Sequence, residues 1–239
     1  MNAWGAAAAA AAGTFAVGAG WDWGVLLFGY FVSSSLLSRF RAAQKETRLL
    51  GRVEKGGQRD AAQVLANGGV FVLAAIGHAF TGHAALAALA AGALAASTAD
   101  TWATELGTIA RRAPRSIVTW RAVPVGTSGG VTAQGTVASL AGATFLGALA
   151  AGVSWGWTAA LGAVGGGFFG SLFDSFLGGT IQDRRWCAHC AVATEQRTHV
   201  CGNATRHAGG WSWVDNDVVN ALSTVAGALV GLVVWMAAA

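Results

Sequence analysis

Apolar positions in this chain form long unbroken blocks separated by short polar ones, with none of the alternation of half-buried strands. Residues 3 to 19 are Ala-rich and form the first block, and residues 23 to 38 form the second, ending at Arg39. Residues 39 to 60 carry ten charges, seven of them basic, and read as a solvated loop or surface helix. The next thirty-nine residues, 61 to 99, contain no Asp, Glu, Lys or Arg. They divide at His78 to His83 into blocks at 61 to 77 and about 84 to 99. Residues 122 to 173 are again free of charge, fifty-two in all, which is long enough for two membrane-crossing helices of about 20 residues. These are expected at about 132 to 151 and 157 to 173, with a turn at Gly152 to Gly156. A last block runs from about 214 to 236.

The pattern predicts an all-α, polytopic membrane bundle of about seven spans in one domain, residues 1 to 239. Composition agrees: the chain is 54% hydrophobic and 11% charged, against about 25% charged in soluble domains. Its first ten residues, MNAWGAAAAA, lack a basic n-region and are expected to belong to a retained helix. Counting seven crossings puts all fifteen Lys and Arg on one side, so the positive-inside rule predicts a cytosolic N-terminus. No nucleic acid is expected as a partner; membrane lipids are.

Polar clusters punctuate the predicted cytosolic edge. In STADTWATELG, Ser97 and Asp100 have capping-box spacing, while Thr101 and Glu105, four apart, share a helix face. Capping accounts for Asp100 but leaves Glu105 unexplained. Two acids emerging from an apolar run suit a hard cation such as Mg²⁺, which binds few carboxylates and keeps water or phosphate oxygens. Asp174 ends the second charge-free run as Asp100 ends the first, and Gln182 follows it in GSLFDSFLGGTIQD. Asp217, Asn216 and Asn220 open the last block; Asp215 there reads as a cap, and the two Asn lie on one face. Lys55, Gly56, Gly57 and Arg59 combine bare backbone amides with two cations, which fits phosphate as well as ordinary positive-inside charge. Asn67 sits one turn into a charge-free block and is expected to bond another helix or a substrate. Gly126, Thr127, Gly129, Gly130 and Thr132 form a glycine-rich turn before a helix, suited to a phosphate or to close helix packing. It is not a Walker A loop, because no Lys-Ser/Thr ends it.

The predicted cytosolic loop at about 180 to 213 holds every Cys. Cys187, Cys190, His199 and Cys201 have zinc-ligand types at compact spacing, so a structural Zn²⁺ is one reading and unligated Cys the other. Reduced cytosolic thiols argue against a disulfide.

The ordered clusters KGGQRD…LANG, ADTWATELG, GTSGGVTAQGT, DSFLGGTIQ and NDVVN resemble the integral-membrane family that includes the plant phytyl-phosphate kinases and many bacterial and archaeal proteins. The likeness extends from about Ser33 to the C-terminus. It implies phosphoryl transfer from a nucleoside triphosphate, CTP or ATP, to an isoprenoid monophosphate at the cytosolic face of a bacterial or archaeal cytoplasmic membrane. The Cys/His loop is unlike that of the plant enzymes, so zinc is not implied by the resemblance.

Read as a kinase, the chain would use Asp100, Glu105 and Asp174 catalytically, with Asp217, to hold Mg²⁺. Lys55, Gly56, Gly57, Arg59 and the 126 to 132 turn would bind phosphates, and Asn67, Gln182, Asn216 and Asn220 would orient them. Alternatives are a CTP-dependent lipid-alcohol kinase, a nucleotidyltransferase, and an ion-coupled transporter. A transporter would place its acids near the midplane instead of at one edge.

Overall fold

The computed structural model describes residues 2–49, 52 and 60–238. Eight helices account for most of these: α1 Ala3–Ala19, α2 Trp21–Arg39, α3 Ala42–Leu49, α4 Ala61–Thr81, α5 Ala85–Thr108, α6 Ala133–Gly152, α7 Gly156–Thr180 and α8 Asn216–Ala238. All but α3 occupy the apolar blocks expected from the sequence. Among the described residues, α4, α6, α7 and α8 are long and apolar enough to cross a membrane, while α1 is apolar but has only 17 residues.

Local chemistry starts several of the helices. Asp60 accepts from Gln63 N at 2.9 Å, Thr132 from Gly135 N at 2.9 Å and Asp215 from Val218 N at 3.0 Å, each satisfying an amide that has no partner inside its helix. Gly82, at φ +66°, ends α4 in the left-handed conformation that glycine adopts without strain.

Two helices outrun their apolar blocks. α5 continues nine residues past 99 and α7 seven past 173, so Asp100, Glu105 and Asp174 are helical residues. The capping reading of Ser97 is therefore wrong. Ser97 lies inside α5, and its hydroxyl donates to Asn67 O of α4 at 2.6 Å. Charge did not end these helices because side chains of neighbouring helices receive it. The helical expectation holds for the bundle, and its loops add short strands. The Cys/His loop forms a three-stranded antiparallel sheet, β3 Arg184–Cys187, β4 Val192–Thr194 and β5 Arg206–Gly209, in order β4-β3-β5. A smaller antiparallel pair, β1 Arg115–Ser116 with β2 Gly130–Val131, folds the glycine-rich segment back on itself.

The centre of the bundle is built from α5, α7 and α8 in nearly bare backbone contact. Gly231 approaches Ala88 O and Gly162; one turn on, Gly227 meets Gly92 and Gly166; the next turn brings Ala96, Gly170 and Ser223 together. A methyl group added at Gly92 or Gly166 would overlap the Gly227 carbonyl oxygen. Small residues permit this approach, which is the main attraction between helices when lipid removes the hydrophobic drive. At the other end of the bundle, Trp23 packs against Phe71, His78 and Trp155, with ring centroids 4.7 to 5.5 Å apart.

Candidate functional site

The glycine contacts set the register that builds the site. Residue 92 lies beside 166 and residue 96 beside 170, so α5 and α7 run parallel with a constant offset. One further turn brings Asp100 level with Asp174, near enough that the two carboxylates interact electrostatically. α8 runs the opposite way, and the same step brings Val219 and Asn220 to that level. Ser223 Oγ lies 3.1 Å from Asp174 Oδ2 and 2.8 Å from Val219 O, so its single proton is shared. Asn220 is buried on the face of α8 that carries Ser223, Thr224, Gly227 and Gly231. Asn216 is one turn closer to the helix start on the same face, and Asp217 lies beside it in the first turn.

α4 closes another side. Asn67 accepts from Ser97 through its carbonyl, and its side-chain amide donates to Gln63 O at 2.9 Å. Thr224 Oγ1 donates to Ala66 O at 3.3 Å, which joins α4 to α8 at the same height. Asn67, expected to bond another helix or a substrate through its amide, bonds within α4 instead, and only its backbone carbonyl engages α5. Its side chain, with Gln63, lines one end of an apolar groove of about 640 Å³ between α1, α2 and α4.

Glu105 does not join the two aspartates. It is five residues beyond Asp100, on a different face of α5, and has partners of its own. Ser38 Oγ donates to Glu105 Oε1 at 2.6 Å, and the Lys45 ammonium of α3 pairs with Oε2. Lys45 Nζ also donates to Leu37 O at 2.7 Å and Ser38 O at 3.0 Å, so three acceptors hold a cation that is 7% exposed. Arg48 finishes this anchor by donating to Thr108 O and Ala110 O at the end of α5. Lys45→Met would strand the Glu105 charge. It should lower stability by roughly 3 kcal/mol, the lower end for a broken buried pair because Glu105 remains partly exposed. Thermal unfolding in detergent measures this, and Lys45→Met with Glu105→Gln together should recover part of the loss.

The glycine-rich turn is claimed largely by packing. Gly129, at φ +73°, lies against Gly179 and Ser175 of α7, where a side chain would clash with backbone. Thr127 N donates to Pro124 O at 3.3 Å and Gly130 N to Thr127 O at 2.9 Å, so those two amides are used within the turn. Gly126 takes φ +82°, and Thr132 spends its side-chain acceptor on capping α6. Gln182 is buried just beyond α7, with its side-chain oxygen beside Gly178. Lys55, Gly56, Gly57 and Arg59 lie outside the described residues.

Cys187, Cys190, His199 and Cys201 converge, each offering one ligand atom within 4.8 Å of the others. Hydrogen bonds from Asn203 and His199 draw the Cys201 thiol down to about 5, while hydrogen bonding to Cys201 pushes Cys190 up to about 11.

Ser223, Ser38 and Lys45 were not singled out from the sequence. Ser223 had a legible signal, three residues after Asn220 on one helix face. Lys45 had none, since it is one of seven basic residues in its segment.

The family model for integral membrane protein DUF92 matches residues 1–228. Protein PGR of Arabidopsis thaliana is 34% identical over 235 residues, covering 86% of this chain and 78% of the plant protein. An uncharacterised membrane protein of Synechocystis is 28% identical over 224 residues, covering 89% of this chain and 74% of its own length. An uncharacterised membrane protein of Methanocaldococcus jannaschii is 26% identical over 216 residues, covering 90% and 77%. No solved structure matches the chain. With nearly its whole length matched, the chain belongs to the DUF92 family of integral membrane proteins.

Proposed function

We propose that this protein is a membrane-embedded kinase that transfers a phosphoryl group from CTP or ATP to an isoprenoid monophosphate, giving the diphosphate. The observation that carries this reading is the pairing of Asp100 with Asp174 at the end of the bundle where the charged connections gather. Seven crossings with the N-terminus in the cytosol would put that end on the nucleotide's side, in keeping with the positive-inside rule.

Two facing carboxylates with amide side chains nearby form an all-oxygen donor set that fits Mg²⁺. The ion, when bound, supplies charge neutralisation on phosphate oxygens. Asp100 and Asp174 would hold it, with Asp217 at the rim of the site. Asn220 and Asn216 would orient phosphate oxygens, while Lys55 and Arg59 would add positive charge. The acceptor is already an ionised monophosphate, so no strong base is required, and positioning carries most of the task. Glu105 takes a different role from the one its residue type suggested. It anchors α2 and α3 to α5 and positions the helix that bears Asp100.

The isoprenoid tail would lie in the groove between α1, α2 and α4, whose polar end is Gln63 and Asn67. Its volume is within the range of ligand sites. Gly13 and Gly68 line it, and a Cβ added at either meets nothing within 4 Å. Gly13→Leu and Gly68→Leu should therefore shorten the groove without disturbing packing. The ratio of kcat/KM for geranylgeranyl over geranyl monophosphate should fall by about 10-fold.

A turnover assay of the purified protein with labelled geranylgeranyl or phytyl monophosphate and a panel of nucleoside triphosphates tests the reading. Release of nucleoside diphosphate with lipid diphosphate is expected. Release of pyrophosphate would indicate a nucleotidyltransferase, and no turnover with any pair would remove the kinase assignment. The tetrad of Cys187, Cys190, His199 and Cys201 would hold Zn²⁺ away from this chemistry.

A further inference from the structure

The three-stranded sheet is the part of the molecule that phosphoryl transfer does not call for. It is too small to bury a core of its own, yet it holds two tight turns facing each other. The first, between β3 and β4, carries Cys187 and Cys190 and includes Ala191 at φ +52°. The second is closed by His199 N donating to Asn203 O at 3.0 Å and Gly202 N to His199 O at 2.8 Å, with Gly202 at φ +83°. It carries His199 and Cys201. Paired turns presenting Cys-x-x-Cys and His-x-Cys are the arrangement of small structural zinc modules.

Distances select the chemistry. Cys187 Sγ and Cys201 Sγ are 3.7 Å apart, and His199 Nδ1 is 3.3 Å from Cys201 Sγ. A disulfide would need about 2.05 Å between sulfurs. Two sulfurs each about 2.3 Å from one tetrahedral centre stand about 3.8 Å apart. Asn203 Nδ2 donates to Cys201 Sγ at 3.4 Å, an outer hydrogen bond of the kind that orients a ligating thiolate.

The sheet reaches two other parts of the chain through the end of β4 and the residue after it. Glu195 N donates to Arg52 O at 2.8 Å, and Thr194 Oγ1 donates to the same carbonyl at 3.3 Å. The Glu195 carboxylate accepts from Ser128 Oγ, inside the glycine-rich turn that Gly129 wedges against α7. At its root, Asp183 N donates to Val214 O at 2.7 Å, and the Asp183 carboxylate holds Arg185 and His207.

We propose that Cys187, Cys190, His199 and Cys201 bind one Zn²⁺ ion, and that the zinc-tied sheet is a clasp holding the 126–130 turn and the backbone at Arg52 beside the polar end of the bundle. Without the ion the two turns lose their common centre, and Glu195 loses the rigid base from which it grips Ser128. The metal site and the clasp stand apart from the kinase reading.

The test uses the full chain purified in detergent without chelator. Elemental analysis should find about one zinc per chain, falling to roughly a tenth in Cys190→Ser and Cys201→Ser. Cobalt substitution should give thiolate charge-transfer absorption and tetrahedral visible bands, and Asn203→Ala should weaken metal binding by about 10-fold. Hydrogen exchange at residues 126–130 should quicken on chelation of the wild type. Glu195→Gln should also quicken it while the zinc content stays at the wild-type level. A chain that binds neither zinc nor cobalt would overturn the site, as would a full complement of another metal. Stoichiometric zinc with exchange at 126–130 unchanged by chelation would overturn the clasp. These readouts do not involve turnover, so they succeed or fail independently of the kinase assay.

Discussion

Asp174→Asn should reduce phosphoryl transfer by at least about 10³-fold, because it removes one of the two charges that would hold Mg²⁺ against the transferring phosphate. The substitution is nearly isosteric. An Asn oxygen still accepts from Ser223, so the local hydrogen bond survives and the fold should be kept. A loss confined to kcat, with the unfolding temperature retained, would locate the effect in chemistry instead of folding. The sign of the stability change gives a second check. Two neighbouring carboxyls with no cation between them are costly to ionise together, so replacing one with a neutral amide should not lower the unfolding temperature of the metal-free protein. Added Mg²⁺ should then stabilise the wild type by binding its folded form, and should leave Asp174→Asn nearly unmoved. Asp100→Asn should behave in the same way. Full turnover by either purified variant would take the pair out of the mechanism.

Gly166→Val should cost more than 3 kcal/mol and leave little folded protein in detergent, because the new side chain enters helix backbone. Even a single methyl at Gly166 would overlap the Gly227 carbonyl oxygen and crowd Gly92 Cα at 3.1 Å. None of these atoms belongs to a side chain that can rotate away, so α8 must move bodily. Gly92→Val and Gly227→Val should be equally damaging, since the three glycines meet at one level. Gly13→Ala is the matched control: its methyl meets nothing within 4 Å, and helix propensity alone favours the change by about 0.5 to 1 kcal/mol. Size-exclusion profiles and thermal unfolding read out all four. A Gly166→Val protein that unfolds at the wild-type temperature would show that this contact does not set the register. The same register brings Asp174 level with Asp100 and Asn220, so the proposed kinase reading depends on it.

Much of the architecture can be read along the chain because it depends on near neighbours. The thirty-nine and fifty-two residue charge-free runs mark helices α4 to α7, and the side of the bundle that carries charge follows from where the runs stop. Asp215 is legible as a cap, since it bonds an amide three residues away; Asp60 and Thr132 cap their helices in the same way, though Thr132 reads in the sequence as a phosphate ligand. The Cys/His tetrad was also visible, because Cys187 to Cys201 spans one short loop in which two turns suffice to bring the ligands together. Helix ends were harder. α5 and α7 continue through their charged residues, and the hydropathy pattern misplaced both ends because it cannot register Lys45, Ser38 or Ser223 arriving from elsewhere.

What lay beyond the sequence was which polar groups meet. Asp100 and Glu105 look like one pair in the chain, being five residues apart, yet the fold gives Asp100 to Asp174 and Glu105 to Lys45. The glycines at 126 to 130 suit a phosphate or a helix equally well by composition, and close contact with Gly179 decided for the helix at Gly129. Hydropathy and helical period are local properties, so they establish a membrane bundle and the faces of its helices. The axial register between helices depends on which glycines nest against which backbones, a matter of van der Waals contact across separate segments. That contact, written nowhere in the spacing of residues along one helix, brings two aspartates seventy-odd positions apart to one level of the bundle.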